Sequence, residues 1–599
     1  MRLLLVSLAA AVGFAAHAGT ADAAAFVRCG GDAGKVGFQC GAVKVPLDRA
    51  GAVAGEVALH VRRLPAQGFA SKPPLLALAG GPGQGASNFA TMFAAVFEEA
   101  LSDRDLVVVD QRGTGRSGAL RCASFETVIA DEEALADAMR TCVGSLSTGV
   151  GHYRTLDSVE DLDAVRAALG AERIALFGVS YGTKVALGYA SRHPTRVERL
   201  VLDSVVEPDG PDALWRSTFA AMPRVLREVC GRACPFTRDP AADLAAAVQR
   251  LDAEPLQADL VGPNGKRARE ALSSVDLFSL LLTGDFDPWV RAGIPGAVAA
   301  AANGDGAQLL RLLDDIARFT PNEQPQEFSW PLFYATTCTD SALPWGATET
   351  VEQRLASLQA EVEALPVESF APFGAATALE VGIPSLCLHW AGPAAPPPSL
   401  GAVPDVPALV LNGTLDLRTP LADAQALASR LPHARLIAVA GTGHSVVLNG
   451  PTCAQRATVA FLNEDATPAR PCRTPRLFVP ERPAPRSLAA VGGAGRARIS
   501  AAAQLTLRDV LRRLPLSTGA LTGRSFTLRG GGLRGGRYLA RPSLLVLHGV
   551  EFVPGVTVSG TITGDVDPFG AVERARGTLV VRAGTTTVRV SIARRLLVG

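Results

Sequence analysis

Short apolar runs separated by turn residues are the first pattern along this chain. Leu75 to Leu78, Leu106 to Val109, Ile174 to Phe177 and Leu200 to Leu202 are apolar throughout, and each is followed within a residue or two by Gly or Asp. Such runs lack the alternation of a half-exposed strand, so they predict strands covered on both faces. Between the second and third, Leu156, Val159, Leu162, Val165 and Leu169 recur at helical spacing and predict a helix over about 156 to 169. Thr155 stands where a cap belongs, and Asp157, Glu160 and Asp161 place negative charge near the start, where the backbone dipole favours it. From about residue 41 the chain alternates strand, loop, strand and helix, which predicts an α/β fold built on a mostly parallel sheet.

After Asp203 the alternation stops, and roughly 190 residues follow whose Ala/Leu spacing, clearest around 241 to 253 and 352 to 364, predicts a mainly helical insertion. A proline-rich stretch from Pro393 to Pro407 returns the chain to a strand (Ala408 to Leu411), a helix (Leu421 to Leu431) and another strand (Arg435 to Val439). Beyond Cys472 a Pro/Arg-rich linker, Pro475 to Pro485, opens into alternating segments such as Val556-Thr557-Val558-Ser559 and Thr587-Val588-Arg589-Val590. These predict a small all-β domain, a sandwich or partial barrel. The expected division is an α/β core in two parts, 26–207 and 404–475, a helical cap over 208–403, and an accessory β domain over 476–599.

Residues 1–25 read differently. Met1-Arg2, the apolar run Leu3 to Ala16 and the small residues after it predict an export signal, with cleavage after Ala18 or Ala23. The run is shorter than the ~20 residues a membrane span requires, so no integral span is expected. At 599 residues the chain exceeds one ordinary core. Its 58 basic residues balance 57 acidic ones, so charge favours neither nucleic acid nor an acidic membrane surface as partner. Ten cysteines behind an export signal predict disulfides. Proximity suggests Cys29 with Cys40, Cys122 with Cys142, Cys230 with Cys234 and Cys453 with Cys472, leaving Cys338 for Cys387, although spacing alone does not fix the pairing. No histidine or second cysteine pair completes a metal site around Cys230 and Cys234, so no metal is expected.

The chemistry centres on Gly178-Val179-Ser180-Tyr181-Gly182, placed directly after one apolar run and before the helix-like run Thr183 to Arg192. A serine thrust out of a tight strand-to-helix turn is a nucleophile elbow, and the flanking glycines leave room for its strained backbone. Ala79-Gly80-Gly81-Pro82-Gly83 follows an earlier strand, where an oxyanion hole is built in α/β-hydrolases. The backbone N–H groups of Gly81 and Tyr181 are the expected donors. Gly81-x-Gly83-x-x-Ala86 also fits a dinucleotide fingerprint, but Pro82 removes a donor from the anion-binding turn. Gly80-x-x-x-x-Gly85 imitates a phosphate loop, and Ala86 stands where its lysine belongs. Asp416 and His444, each on a loop after a later strand, complete the chain order Ser, Asp, His: His444 as base, Asp416 as the acid that fixes its tautomer. Asp110 precedes the serine and is expected to be architectural.

Together Gly80-Gly81-Pro82-Gly83, Asp110-Gln111-Arg112-Gly113-Thr114-Gly115-Arg116-Ser117, Gly178-Val179-Ser180-Tyr181-Gly182, Asp416 and Gly443-His444 resemble the prolyl and tripeptidyl aminopeptidases among α/β-hydrolases. Cys40 before Val45-Pro46-Leu47-Asp48, Thr337-Cys338-Thr339-Asp340 and Cys387-x-x-Trp390 look like the secreted tripeptidyl branch. The resemblance spans about residues 29 to 475, and Ala79 departs from the histidine common before the glycines in prolyl aminopeptidases. It implies a cofactor-free, exported serine peptidase that releases short N-terminal peptides through an acyl-enzyme on Ser180. It also implies that cap acids grip the substrate amino terminus, with Glu207 and Asp340 as candidates. An exported carboxylesterase with the same triad, acting on small esters, is the alternative; a silent binding protein is disfavoured because all three triad positions are filled.

Overall fold

The computed structural model describes residues 25–126, 132–146, 148–208, 212–319, 324–390, 399, 401–464, 471–476, 478–516, 525–566 and 571–596. Most of the segment read as an export signal lies outside them. The first part of the chain forms β1 (Val27–Arg28), β2 (Gln39–Pro46), β3 (Glu56–Leu64), β4 (Leu75–Leu78), β5 (Leu106–Val109), β6 (Ile174–Val179) and β7 (Val197–Asp203). The insertion contributes the hairpin β8 (Leu256–Val261) and β9 (Arg267–Leu272), after which β10 (Ala408–Gly413) and β11 (Ala434–Val439) rejoin the first sheet. Its strand order is β1-β2-β3-β5-β4-β6-β7-β10-β11. Neighbours from β5 to β11 are all parallel, while β1, β2 and β3 pair antiparallel.

Both faces of this sheet are covered, which explains the unbroken apolar runs. Leu76, Leu78, Val107, Leu176 and Leu202 pack with Val159, Leu162 and Val165 of the helix Thr155–Ala168. Their neighbours Leu75, Ala77, Val108, Phe177 and Leu411 face the opposite way, onto Phe93 and Phe97. β7 is longer than its apolar run because it begins with charged residues: Arg104 is wholly buried and its Nη1 donates to Glu198 at 2.8 Å. Thr155 does not cap the helix it precedes in the sequence pattern. It is the first helical residue; its N–H donates to Asp340 at 2.8 Å and its hydroxyl pairs with that of Tyr181 at 2.9 Å, while Arg154 occupies the cap position.

The insertion is mainly helical around an apolar cluster of its own that includes Phe219, Phe278, Trp289 and Leu309. Leu415 and Leu417, which flank Asp416 on the sheet side, are buried in that cluster, so the insertion and the loop after β10 share one core. All five disulfides form as proximity suggested: Cys29–Cys40, Cys122–Cys142, Cys230–Cys234, Cys338–Cys387 and Cys453–Cys472. Among the described residues no helix is long and apolar enough to cross a membrane.

The C-terminal region is an antiparallel sheet of β12 (Leu528–Gly531), β13 (Gly535–Arg541), β14 (Leu544–Glu551), β15 (Val556–Val566), β16 (Val572–Ala583) and β17 (Thr586–Leu596), paired in sequence order. It is one open sheet and not a two-sheet sandwich, one of the two expected forms. One face is covered by the helix Gly495–Arg512, whose Ile499, Ala503, Leu507 and Val510 bury against Leu547, Val558 and Val581. The linker is docked, with Glu481 N–H donating to Ala292 O at 2.7 Å and Arg476 Nη2 to Val229 O at 2.8 Å. Two buried ion pairs, Arg311 with Asp509 and Arg513 with Asp315, and one half-buried pair, Arg534 with Asp305, then join this region to the insertion.

Candidate active site

Ser180 sits between β6 and the helix Tyr181–Arg192 with φ 54° and ψ −126°, a conformation costly for a residue with a side chain. Its surroundings enforce it. A Cβ on Gly178 would strike the Gly182 carbonyl, and one on Gly182 would lie 2.7 Å from Ala79 O, so neither position admits a side chain. Ser180 N–H donates to Asp203 O at 2.9 Å, tying the elbow to the end of β7. Tyr181 opens the helix, where an N–H has no intrahelical acceptor.

The loop after β4 runs alongside. A Cβ on Gly80 would come 2.9 Å from Ser180 Cβ, and Gly81 has φ 105°. Gly83 and Gly85 answer to a different neighbour: Cβ atoms there would lie 2.7 Å from Ser329 O and 2.6 Å from Gln326 O, both in the insertion. Ser329 N–H donates to Gly83 O at 2.9 Å and Gly85 N–H to Glu327 O at 3.1 Å, so the insertion clamps the glycine loop by its backbone.

Asp416 follows β10 and His444 follows β11, and the fold brings His444 Nδ1 to 2.9 Å from Asp416 Oδ2. Arg418 N–H (3.0 Å) and Thr419 N–H (2.9 Å) donate to Asp416 Oδ1, and the Thr419 hydroxyl donates to Oδ2 at 2.8 Å. Burial pushes the Asp416 carboxyl up, but the His444 imidazole and these donors outweigh it and hold its pKa below the ordinary value. Burial pulls the His444 pKa down, but Asp416 outweighs it and raises it. Ser180, His444 and Gly81 line one cavity of about 520 Å³ together with Phe286, Phe328, Trp330, Phe333 and Arg418.

Two further buried carboxyls support this arrangement, and sequence reading missed both. Asp203, at the end of β7, accepts from Val446 N–H (2.9 Å) and Val447 N–H (2.8 Å) just after His444; burial raises its pKa to about 6. Asp285 comes from the insertion. Its Oδ2 accepts from Leu417 N–H (3.0 Å) and Arg418 N–H (2.9 Å), and its carbonyl accepts from His444 N–H (3.2 Å). Burial, and then the nearby Asp416 charge, push its carboxyl up to about 8. A Cβ on Gly443 would strike the Asp285 carbonyl, which gives that glycine its reason. Asp285 stands in Gly284-Asp285-Phe286-Asp287, which has no motif or periodicity to single it out.

The other expected residues lie elsewhere. Glu207 pairs with Arg430 at 3.1 Å, and Asp340 accepts from Thr155 N–H; neither lines the cavity. Asp110 is bound by Ser87 N–H and hydroxyl at 2.7 and 2.8 Å and by Arg116 N–H at 2.9 Å, and Arg112 grips Asp161 through two bonds of 2.7 Å. Their segment braces the carboxyl end of β5 against the helix Thr155–Ala168. Among the described residues no group of His, Cys, Asp and Glu is placed to hold a metal ion.

Comparison with known proteins agrees with this fold. A family model described as alpha/beta hydrolase fold matches residues 73–263, and one described as TAP-like protein matches 372–472. The chain is 26% identical over 460 residues to the serine protease Hip1 of Mycobacterium tuberculosis, covering 72% of this chain and 86% of that one. It is 32% identical over 199 residues to the tripeptidyl aminopeptidase of Streptomyces coelicolor (30% and 37% covered), and 31% identical over 157 residues to the proline iminopeptidase of Neisseria meningitidis (26% and 40% covered). The chain is a serine hydrolase of the α/β-hydrolase fold, similar to proteins named serine protease, tripeptidyl aminopeptidase and proline iminopeptidase.

Proposed function

We propose that this protein is an exported serine peptidase of aminopeptidase type, releasing short N-terminal peptides through an acyl-enzyme on Ser180. The observation that carries the reading is one cavity lined by Ser180 and His444, with His444 Nδ1 held 2.9 Å from a buried Asp416. With Nδ1 engaged by Asp416, His444 Nε2 takes the Ser180 proton as Oγ attacks the substrate carbonyl, then returns it to the leaving amine. The N–H groups of Gly81 and Tyr181 hold the oxyanion, and water, deprotonated by the same imidazole, releases the acyl group. Export is supported by five disulfides, which persist in oxidising compartments.

One observation favours the second reading, a carboxylesterase. Among the described residues lining the cavity there is no carboxylate to receive a free ammonium, and the lining is mostly apolar and rich in aromatic rings. Fluorophosphonate labelling of the wild type and of Ser180→Ala tests the nucleophile, with signal expected only from the wild type. Tripeptidyl amides with free and blocked amino ends, run beside short-chain esters, test the substrate. Cleavage of free-ended tripeptides supports the peptidase reading, and turnover of blocked esters alone overturns it.

A further inference from the structure

Among the described residues that line the cavity one carries a permanent charge, and it is positive. Arg418 and His444 are the titratable residues among the described lining, and no carboxylate faces them there. Arg418 lies two residues after Asp416, and its backbone is fixed: its N–H is shared between Asp285 Oδ2 and Asp416 Oδ1 at 2.9 and 3.0 Å. Its side chain is less well served. Nε is buried without a hydrogen-bond partner, and no ion pair to the guanidinium occurs among the described residues. What holds the group is an aromatic face. The guanidinium carbon lies 4.5 Å from the ring centroid of Phe286, whose ring stands edge-on to His444 at 5.3 Å and is itself 49% exposed.

A half-buried guanidinium in the cavity that Ser180 lines costs free energy unless a partner arrives, and its planar fork matches a carboxylate. The two nearest carboxyls are poor partners, because Asp416 already accepts from three donors besides His444, and Asp285 is committed to two backbone N–H groups. We infer that Arg418, steadied on Phe286, is a specificity-determining residue that binds a carboxylate of the substrate, while Phe328, Trp330 and Phe333 line an apolar subsite beside it. The inference rests on the serine-hydrolase reading of this cavity. The carboxylate comes either from an acidic side chain near the scissile bond or from the free C-terminus of a short peptide.

The test uses matched peptides with Glu or Gln at each position flanking the scissile bond, and the same peptides with free or amidated C-termini. The expected result is a kcat/KM about 10- to 100-fold higher for the carboxylate member, expressed mainly in KM. Arg418→Met brings that ratio close to one, and Arg418→Lys restores part of it. A Glu/Gln preference points to a side chain, and a free/amide preference to the C-terminus. Equal turnover of both members by the wild type overturns the inference, as does an Arg418→Met variant that loses both alike with the ratio intact, since that marks Arg418 as a counter-charge for Asp416. Equilibrium binding of the same peptides to Ser180→Ala reads the preference without turnover, so failure of catalysis and failure of carboxylate recognition separate. Fluorophosphonate labelling of each Arg418 variant reports whether its site is folded.

Discussion

At the scale of single residues, two buried aspartates near His444 do opposite things. Asp416 raises the proton affinity of His444 against the effect of burial, and a base must be unprotonated to act, so the acid limb of kcat/KM is expected above pH 6.5, the ordinary imidazole value. In Asp416→Asn the raising partner is gone and burial remains, so the limb moves below that value while kcat falls about 10⁴-fold; a pH–rate profile of both proteins checks it. Asp285 keeps its proton in the folded state up to about pH 8 and loses it near 3.8 when unfolded. Its stabilisation is therefore complete below pH 3.8 and is lost as pH rises through about 8. Asp285→Asn keeps an acceptor for the Leu417 and Arg418 N–H groups and cannot ionise. Its Tm should match the wild type near pH 4 and exceed it increasingly toward pH 8, and parallel Tm curves would refute the assignment. Ser180, Asp416 and His444 could be singled out from sequence because the elbow and the chain order are local signals. Asp285 and Arg418 had none, because their roles depend on neighbours more than a hundred positions away or on a side chain's direction.

At the scale of elements, the glycine loop shows how a motif can be legible while its reason is not. Sequence reading assigns this loop to the oxyanion hole, yet Gly83 and Gly85 make room for the insertion's backbone at Gln326 to Ser329. Gly83→Ala should displace that clamp and lower kcat/KM by about 10- to 100-fold, since small misplacements of a catalytic loop carry that cost. Gly144→Ala, in a helix with open space around it, is the control and should leave kinetics unchanged. Steady-state kinetics on the two variants decides. The strands were read well where apolar runs are unbroken, as at Leu75–Leu78 and Leu106–Val109, and too short at β7, because buried Glu198 and Arg199 disguise its start. Thr155 misled for a related reason: its N–H and hydroxyl are drawn to Asp340 and Tyr181, partners that only packing supplies.

At the scale of the whole molecule, the C-terminal region braces the insertion, and the insertion holds the loops that carry Gly83 and Asp416. The Arg311–Asp509 pair is buried between them, so Asp509→Ala leaves an uncompensated guanidinium and should destabilise by about 3–5 kcal/mol. Removing the exposed Arg574–Asp565 pair should change stability by less than about 1 kcal/mol. Denaturant unfolding of the two variants tests the contrast, and equal effects would sink it. Composition and local pattern by themselves determined the parallel sheet, the long helical insertion and the elbow at Ser180, because each follows from periodicity or from neighbours close along the chain. Tertiary structure alone decided that Leu415 and Leu417 anchor Asp416 in the insertion's core, that Asp285 reaches the same loop, that a helix covers the C-terminal sheet, and that the cavity's permanent charge is Arg418. Those outcomes turn on burial and on contacts between distant segments, and burial is a property of the folded chain that no local stretch of sequence carries.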